Sequence, residues 1–174
     1  MTDGAAPEGD RLPDVAVLDL DGVLADTRHR LHHLAGGRAR WAAFFAAATD
    51  DPVHAEGRAV VEEVLGRGLA VFYLSGRPER TAAATRAWLR RHDLPDAPLL
   101  LRADDDRRPA TAVKISHLRR LARQARVVVL VDDDPAVVAA VRALRPPLAA
   151  SVLHATWQPR DDATDRGQHG SGRM

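Results

Sequence analysis

The chain has 174 residues, 45% of them hydrophobic and 28% charged, the balance of one globular domain long enough to bury a core. A net charge of +1 excludes a binder held mainly by its overall field, and the absence of cysteine excludes a disulfide framework and thiolate chemistry. Residues 1–10 carry Asp3, Glu8 and Asp10 but no apolar run, so no signal peptide is expected, and no stretch reaches the roughly 18 apolar residues of a membrane span. A cytoplasmic location is the expectation.

The first dozen residues are polar with Gly and Pro and are expected to be disordered. A strand is expected at 14–19, where Val15-Ala16-Val17-Leu18 runs into acidic residues; further short apolar runs predict strands at 70–74, 98–101, 127–131 and 149–153. Helical patterns fall at about 28–35, 40–48, 56–66, 78–92, 111–124 and 135–145. Pro78 and Pro135 are each expected at a first helical position, with Asp134 capping the second. Strands alternating with helices predict an α/β fold, a doubly wound parallel sheet with right-handed crossovers. The helix at about 56–66 serves the first crossover. That leaves residues of about 25–54 for a small helical lid. The domain is expected to span 13–157, with a disordered tail at 158–174 rich in Asp, Arg and Gly.

Chemistry-bearing residues fall at the ends of these strands, where open α/β sheets bind ligands. Asp19 and Asp21, followed by Gly22, end the first; two carboxylates there repel unless a cation or shared proton compensates, and hard oxygen ligands favour magnesium. Ser75-Gly76-Arg77-Pro78 ends the second and reads either as a plain turn or as a phosphate cradle of hydroxyl, free amide and helix dipole. Asp132-Asp133-Asp134 ends the fourth. With Asp134 spent as a cap, Asp132 and Asp133 call for a counter-cation. Lys114 is the single lysine among 25 basic residues, and it lies near the start of a predicted helix, where a cation opposes the macrodipole and a nearby anion is expected.

Other residues carry less. His29 and His33 have the i,i+4 spacing of a zinc pair but no evident third ligand, and Leu31 and Leu34 account for the helix as amphipathic. Trp41, Phe44 and Phe45 read as the packing face of the lid, with stacking on a base as the alternative. Arg77, Arg80, Arg102, Arg107 and Arg108 are expected near the mouth, as a solvated rim or as contacts to further phosphates. Trp88 is expected in the core and Trp157 over the sheet edge.

Asp19-Leu20-Asp21-Gly22-Val23-Leu24, Ser75, Lys114 and Asp132-Asp133 resemble, in order, the four motifs of the haloacid dehalogenase-like hydrolases, over roughly residues 14–153. Within that superfamily the chain is most similar to the phosphatase domain of phage-type polynucleotide kinase. That similarity rests on Ser75-Gly76-Arg77, Leu99-Leu100-Leu101-Arg102 with Arg107-Arg108, Val113-Lys114, Asp132-Asp133 with Val137-Val138, and Trp157-Gln158. The kinase P-loop, Gly-x-x-x-x-Gly-Lys-Ser/Thr, does not occur, and the arginine that often follows the paired acids is Asp134 here.

The resemblance implies a magnesium-dependent phosphomonoesterase. Asp19 would be the nucleophile that forms an aspartyl-phosphate, and Asp21 the general acid and base. Magnesium would be held by Asp19, the Asp21 backbone carbonyl and Asp132. Ser75, the Gly76 amide and Lys114 would bind the phosphoryl oxygens, with Asp133 orienting Lys114 or a metal-bound water. One small lid leaves an open site, which suits a nucleic-acid 3′-phosphate or a nucleotide-like substrate. A small non-nucleotide metabolite and a non-catalytic phosphate-binding scaffold are the alternatives.

Overall fold

A computed structural model describes residues 12–35 and 40–159; the expected disordered ends lie outside these residues except for Leu12, Gln158 and Pro159. Five parallel strands form one sheet: β1 (Asp14–Leu18), β2 (Ala70–Pro78), β3 (Leu99–Arg102), β4 (Arg126–Asp132) and β5 (Ser151–His154), in the order β3-β2-β1-β4-β5. The helices are α1 (Trp41–Ala46), α2 (Ala55–Gly66), α3 (Ala82–Arg91), α4 (Ala110–Leu121) and α5 (Pro135–Ala143). Short 3-10 segments lie at Arg28–His33, Ala47–Asp50 and Glu79–Thr81. The doubly wound parallel sheet expected from the alternation of elements is the fold observed.

The apolar run of β1 explains its central place. Val15 and Val17 pack on one side with Leu118 and Leu121 of α4 and Val137 and Val141 of α5. Ala16 and Leu18 pack on the other with Val61 and Val64 of α2 and with Trp88 and Leu89 of α3. A strand buried on both faces must be apolar at every position, not at alternate ones. Trp88 is in the core, as expected, and donates its indole N–H to the Asp51 carbonyl at 2.8 Å.

The chain winds outward from β1 in both directions, through β2 to β3 and then back across the sheet to β4 and β5. The strand order reverses beside β1, and the carboxyl ends of β1, β2 and β4 meet there. Pro135 does open α5, and the Asp134 side chain accepts from the Ala136 N–H at 2.9 Å. Pro78 does not open a helix. It ends β2, and α3 begins only at Ala82, after a 3-10 turn. Among the described residues no helix is long and apolar enough to cross a membrane.

The segment expected as one lid helix at 28–35 is a 3-10 turn, followed by α1 and a second 3-10 turn. Trp41, Phe44 and Leu34 form a cluster of their own, with Leu31 and Phe45 against it. The segment just after β5 packs on the lid base. Gln158, expected to start the disordered tail, is buried; its Oε1 accepts from the Thr27 N–H at 2.9 Å and its amide donates to Thr27 Oγ1 at 2.9 Å. Trp157 packs against the core cluster and donates to the Val23 carbonyl at 3.0 Å, which anchors the loop after β1.

Candidate active site

Asp19 is the first residue past β1, buried, with both carboxylate oxygens engaged: Oδ1 accepts from the Leu20 N–H at 2.7 Å and Oδ2 from Lys114 at 2.5 Å. The same Lys114 ammonium donates to Asp132 Oδ2 at 2.6 Å. One turn into α4, Lys114 thus reaches across to the ends of β1 and β4, and the anions expected near it are these two aspartates. Oxygen atoms of Asp19, Asp132 and Asp133 lie within 4.8 Å of one another. Burial raises the Asp19 pKa well above the carboxylate range, against the pull of Lys114 and with the push of Asp132 and Asp133. Burial alone would lower the pKa of Lys114, but Asp132, Asp19 and Asp133 raise it above its ordinary value. The ammonium is therefore held charged.

Three carboxyl groups share one ammonium. A hard divalent cation, held by oxygen ligands alone, fits this donor set. Gly22 keeps the cradle open. Its φ is +80°, and a Cβ there would lie 2.4 Å from Asp133 Oδ2.

Asp21 faces elsewhere. Its Oδ1 accepts from Arg77 Nη2 at 2.6 Å, Arg77 Nε at 3.0 Å and Arg30 Nη2 at 2.7 Å. Burial would raise its pKa, but the two guanidinium groups overcome this and hold the carboxyl well below the usual range. Both arginines also bind Asp51: Arg30 through Nε and Nη2 at 2.7 Å each, and Arg77 through Nη2 at 3.2 Å. Asp51 is buried and receives His29 Nε2 at 2.8 Å as well. His29, whose spacing resembled half of a zinc pair, is a partner of this carboxylate.

The network revises the reading of Arg77. It is buried, with its guanidinium directed at the general-acid candidate, not at an incoming phosphate. Arg102 is buried too and donates to the carbonyls of Asp106 and Arg108 at 3.0 and 2.6 Å. Arg80 pairs with Asp104, and Arg108 with Asp106. Of the five arginines expected at the mouth, none lines the cavity at Asp19. Arg30 and Asp51 were missed by sequence reasoning. Nothing local marks them, because each derives its role from partners that the fold brings together.

Ser75 and Gly76 do line that cavity, together with Asp19, Asp21, Lys114 and Asp133. They belong to the extended end of β2, so no helix dipole is aimed at an anion there. Ser75 Oγ accepts from the Arg77 N–H at 3.2 Å, which leaves its own hydrogen to donate. The cavity opens to solvent, and the space within it and its mouth is about 650 Å³. The lid residues Thr27, Leu31, Trp41, Phe44 and Phe45 form the facing wall.

Comparison with known proteins places this geometry. A family model described as the polynucleotide kinase PNKP phosphatase domain matches residues 13–149. Among solved structures, a chain of the Pnkp1/Rnl/Hen1 complex is similar at TM-score 0.70 and 24% identity, over 87% of this chain and 49% of that one. A chain of the Pnkp1/Rnl/Hen1 RNA repair complex gives TM-score 0.67 and 22% identity, over 90% and 48%. The class C acid phosphatase from Bacillus anthracis with tungstate bound gives TM-score 0.59 and 15% identity, over 96% and 82%. The present chain thus spans about half the length of the first two, and at these identities the likeness is one of fold. No curated protein matches it in sequence. The family match covers both strands that carry the paired acids, Ser75 and Lys114, and it decides the assignment: the chain belongs to the family of polynucleotide kinase PNKP phosphatase domains, on a haloacid dehalogenase-like fold.

Proposed function

We propose that the chain is a magnesium-dependent phosphomonoesterase that works through an aspartyl-phosphate on Asp19 and acts on a nucleic-acid 3′-phosphate. The observation that carries this reading is the Asp19 carboxylate, held by Lys114 and the Leu20 amide in a cavity lined by Ser75, Gly76 and Asp133. Asp19, Asp132 and the Asp21 backbone carbonyl would hold the ion, with Asp133 beside them. When bound, magnesium offsets the repulsion among the acids and the phosphate and draws charge from the phosphoryl oxygens.

Asp19 attacks phosphorus, and the bond to the leaving oxygen breaks. Lys114, the Ser75 hydroxyl and the Gly76 amide stabilise the charge on the equatorial oxygens. Asp21 protonates the leaving oxygen and then takes a proton from the water that hydrolyses the acyl phosphate. Arg30 and Arg77 hold the Asp21 carboxyl well below the usual range. The first step needs the protonated form of Asp21, and the negative charge of the substrate acts in that direction. The phosphoryl group sits at Asp19, and the remainder of the substrate extends along the lid residues toward solvent.

The test is covalent trapping. With an oligonucleotide bearing a radiolabelled 3′-phosphate, acid quench should leave label on the wild-type protein and none on Asp19→Asn. Wild-type turnover by Asp19→Asn would sink the mechanism. Turnover confined to small phosphates would keep the mechanism and replace the substrate. Binding with no turnover would leave a phosphate-binding scaffold.

A further inference from the structure

Trp41, Phe44 and Phe45 are three of the few aromatic residues in the chain, and they are gathered at one place outside the main core. Phe45 lies against Trp41 at 5.7 Å between ring centroids and 27° between planes, and edge-on to Phe44 at 5.5 Å and 72°. Trp41 and Phe44 are buried, whereas Phe45 and Leu31 are only partly covered. All four line the cavity that holds Asp19, Ser75 and Lys114. The cavity therefore has an anionic and cationic floor at the sheet and an aromatic wall at the lid.

The wall is fixed relative to the reacting groups. The Arg30 guanidinium sits 4.0 Å over the Phe44 ring and donates to Asp21 Oδ1 at 2.7 Å. A cation on one side of the cluster and packed rings within it hold Phe45 in place. The cavity and its open mouth hold about 650 Å³ of space, so a planar group attached to the phosphorylated carbon has room beside Phe45.

We infer that Phe45, backed by Trp41 and Leu31, is a subsite for the nucleobase of the terminal phosphorylated nucleotide. The inference rests on the proposed reading of a nucleic-acid 3′-phosphatase and adds to it the group that the lid recognises. Stacking is indifferent to base identity because every base has a π-face, so the subsite selects for a base without selecting a sequence. A sugar phosphate or polyol phosphate offers no planar face and gains nothing there.

The experiment compares kcat/KM for two single-stranded oligonucleotides that differ only at the 3′-phosphorylated terminus, one a thymidine and the other a tetrahydrofuran abasic residue. Base stacking on an aromatic side chain predicts that the wild type prefers the thymidine end by about tenfold or more. Phe45→Leu keeps an apolar side chain of similar bulk without the ring, and should cut that preference severalfold. Because it is a ratio within one protein, a general loss of activity or of folded protein does not alter it. A wild-type preference below about twofold, or one that Phe45→Leu leaves intact, overturns the subsite. Phosphate release in that same assay would still uphold the 3′-phosphatase reading. Release from neither end overturns both.

Discussion

Arg77 donates to Asp21 Oδ1 through Nη2 at 2.6 Å and through Nε at 3.0 Å, although the two residues are 56 positions apart. A side chain that stood in the sequence beside a phosphate-binding Ser-Gly pair is spent on positioning a carboxylate. Arg77→Lys cannot supply the two-nitrogen fork and should lower kcat for phosphate release by about 10²-fold, within the range a positioned acid–base group supplies. Wild-type kcat in this variant would show that Asp21 needs no fork.

The depressed pKa of Asp21 gives the pair a signature in stability. Its folded value lies below the unfolded value, so the contribution is fully present above the ordinary carboxylate value of 3.8 and is lost as pH falls toward the lower folded value. Asp19 complicates the wild-type curve, since its raised pKa acts in the opposite sense. The readout is therefore a difference. Urea unfolding of wild type and Arg77→Ala, in chelator, should differ most above about pH 4, by about 1.5–3 kcal/mol, and converge toward lower pH. A difference that stays constant down to strongly acid pH would contradict the assignment.

Gly57 of α2 meets the loop after β1. A Cβ there would lie 2.2 Å from the Val23 carbonyl oxygen and 3.1 Å from Leu24 Cα. Both are backbone atoms next to the Asp19–Gly22 segment and cannot turn aside. Gly57→Ala should destabilise the fold by about 1–3 kcal/mol and reduce activity with it. Gly66, in the same helix, has nothing within 4 Å of such a Cβ, and Gly66→Ala should be neutral or stabilising by up to about 1 kcal/mol. Equal effects of the two changes in thermal unfolding would refute the close approach.

The acid cluster predicts a metal effect on unfolding independent of turnover. Magnesium at a hundredfold over its dissociation constant should add ~2.7 kcal/mol, which for a chain of this size raises Tm by roughly 5–10 °C. Asp132→Asn and Asp133→Asn should each lose most of that rise, since each removes one of three clustered carboxylates. Full retention of the magnesium shift in both variants would place the ion elsewhere.

What the sequence made legible has a physical pattern. β1 could be read because a strand buried on both faces is apolar at every position, and Asp19 because it follows that strand directly. Lys114 could be read because one lysine in an arginine-rich chain stands out, and the structure shows it against Asp19 and Asp132. Arg30, Arg77 and Asp51 could not be read as one network. Their partners lie 9 to 56 residues apart, and no local period encodes a contact between a lid turn, a strand end and a loop. Pro78 misled in a specific way. Its fixed φ suits a strand end as well as a first helical turn, and β2 simply continues through Ser75-Gly76-Arg77. Gln158 was placed in the tail by composition, yet its amide is anchored on Thr27 by two hydrogen bonds.

The central claim is tested most directly by phosphate release from a 3′-phosphorylated oligonucleotide and from free mononucleotides, side by side, with magnesium and with chelator. The account predicts release that requires magnesium and is clearly faster from the oligonucleotide. Release that persists in chelator, or that occurs only from the mononucleotides, would contradict it.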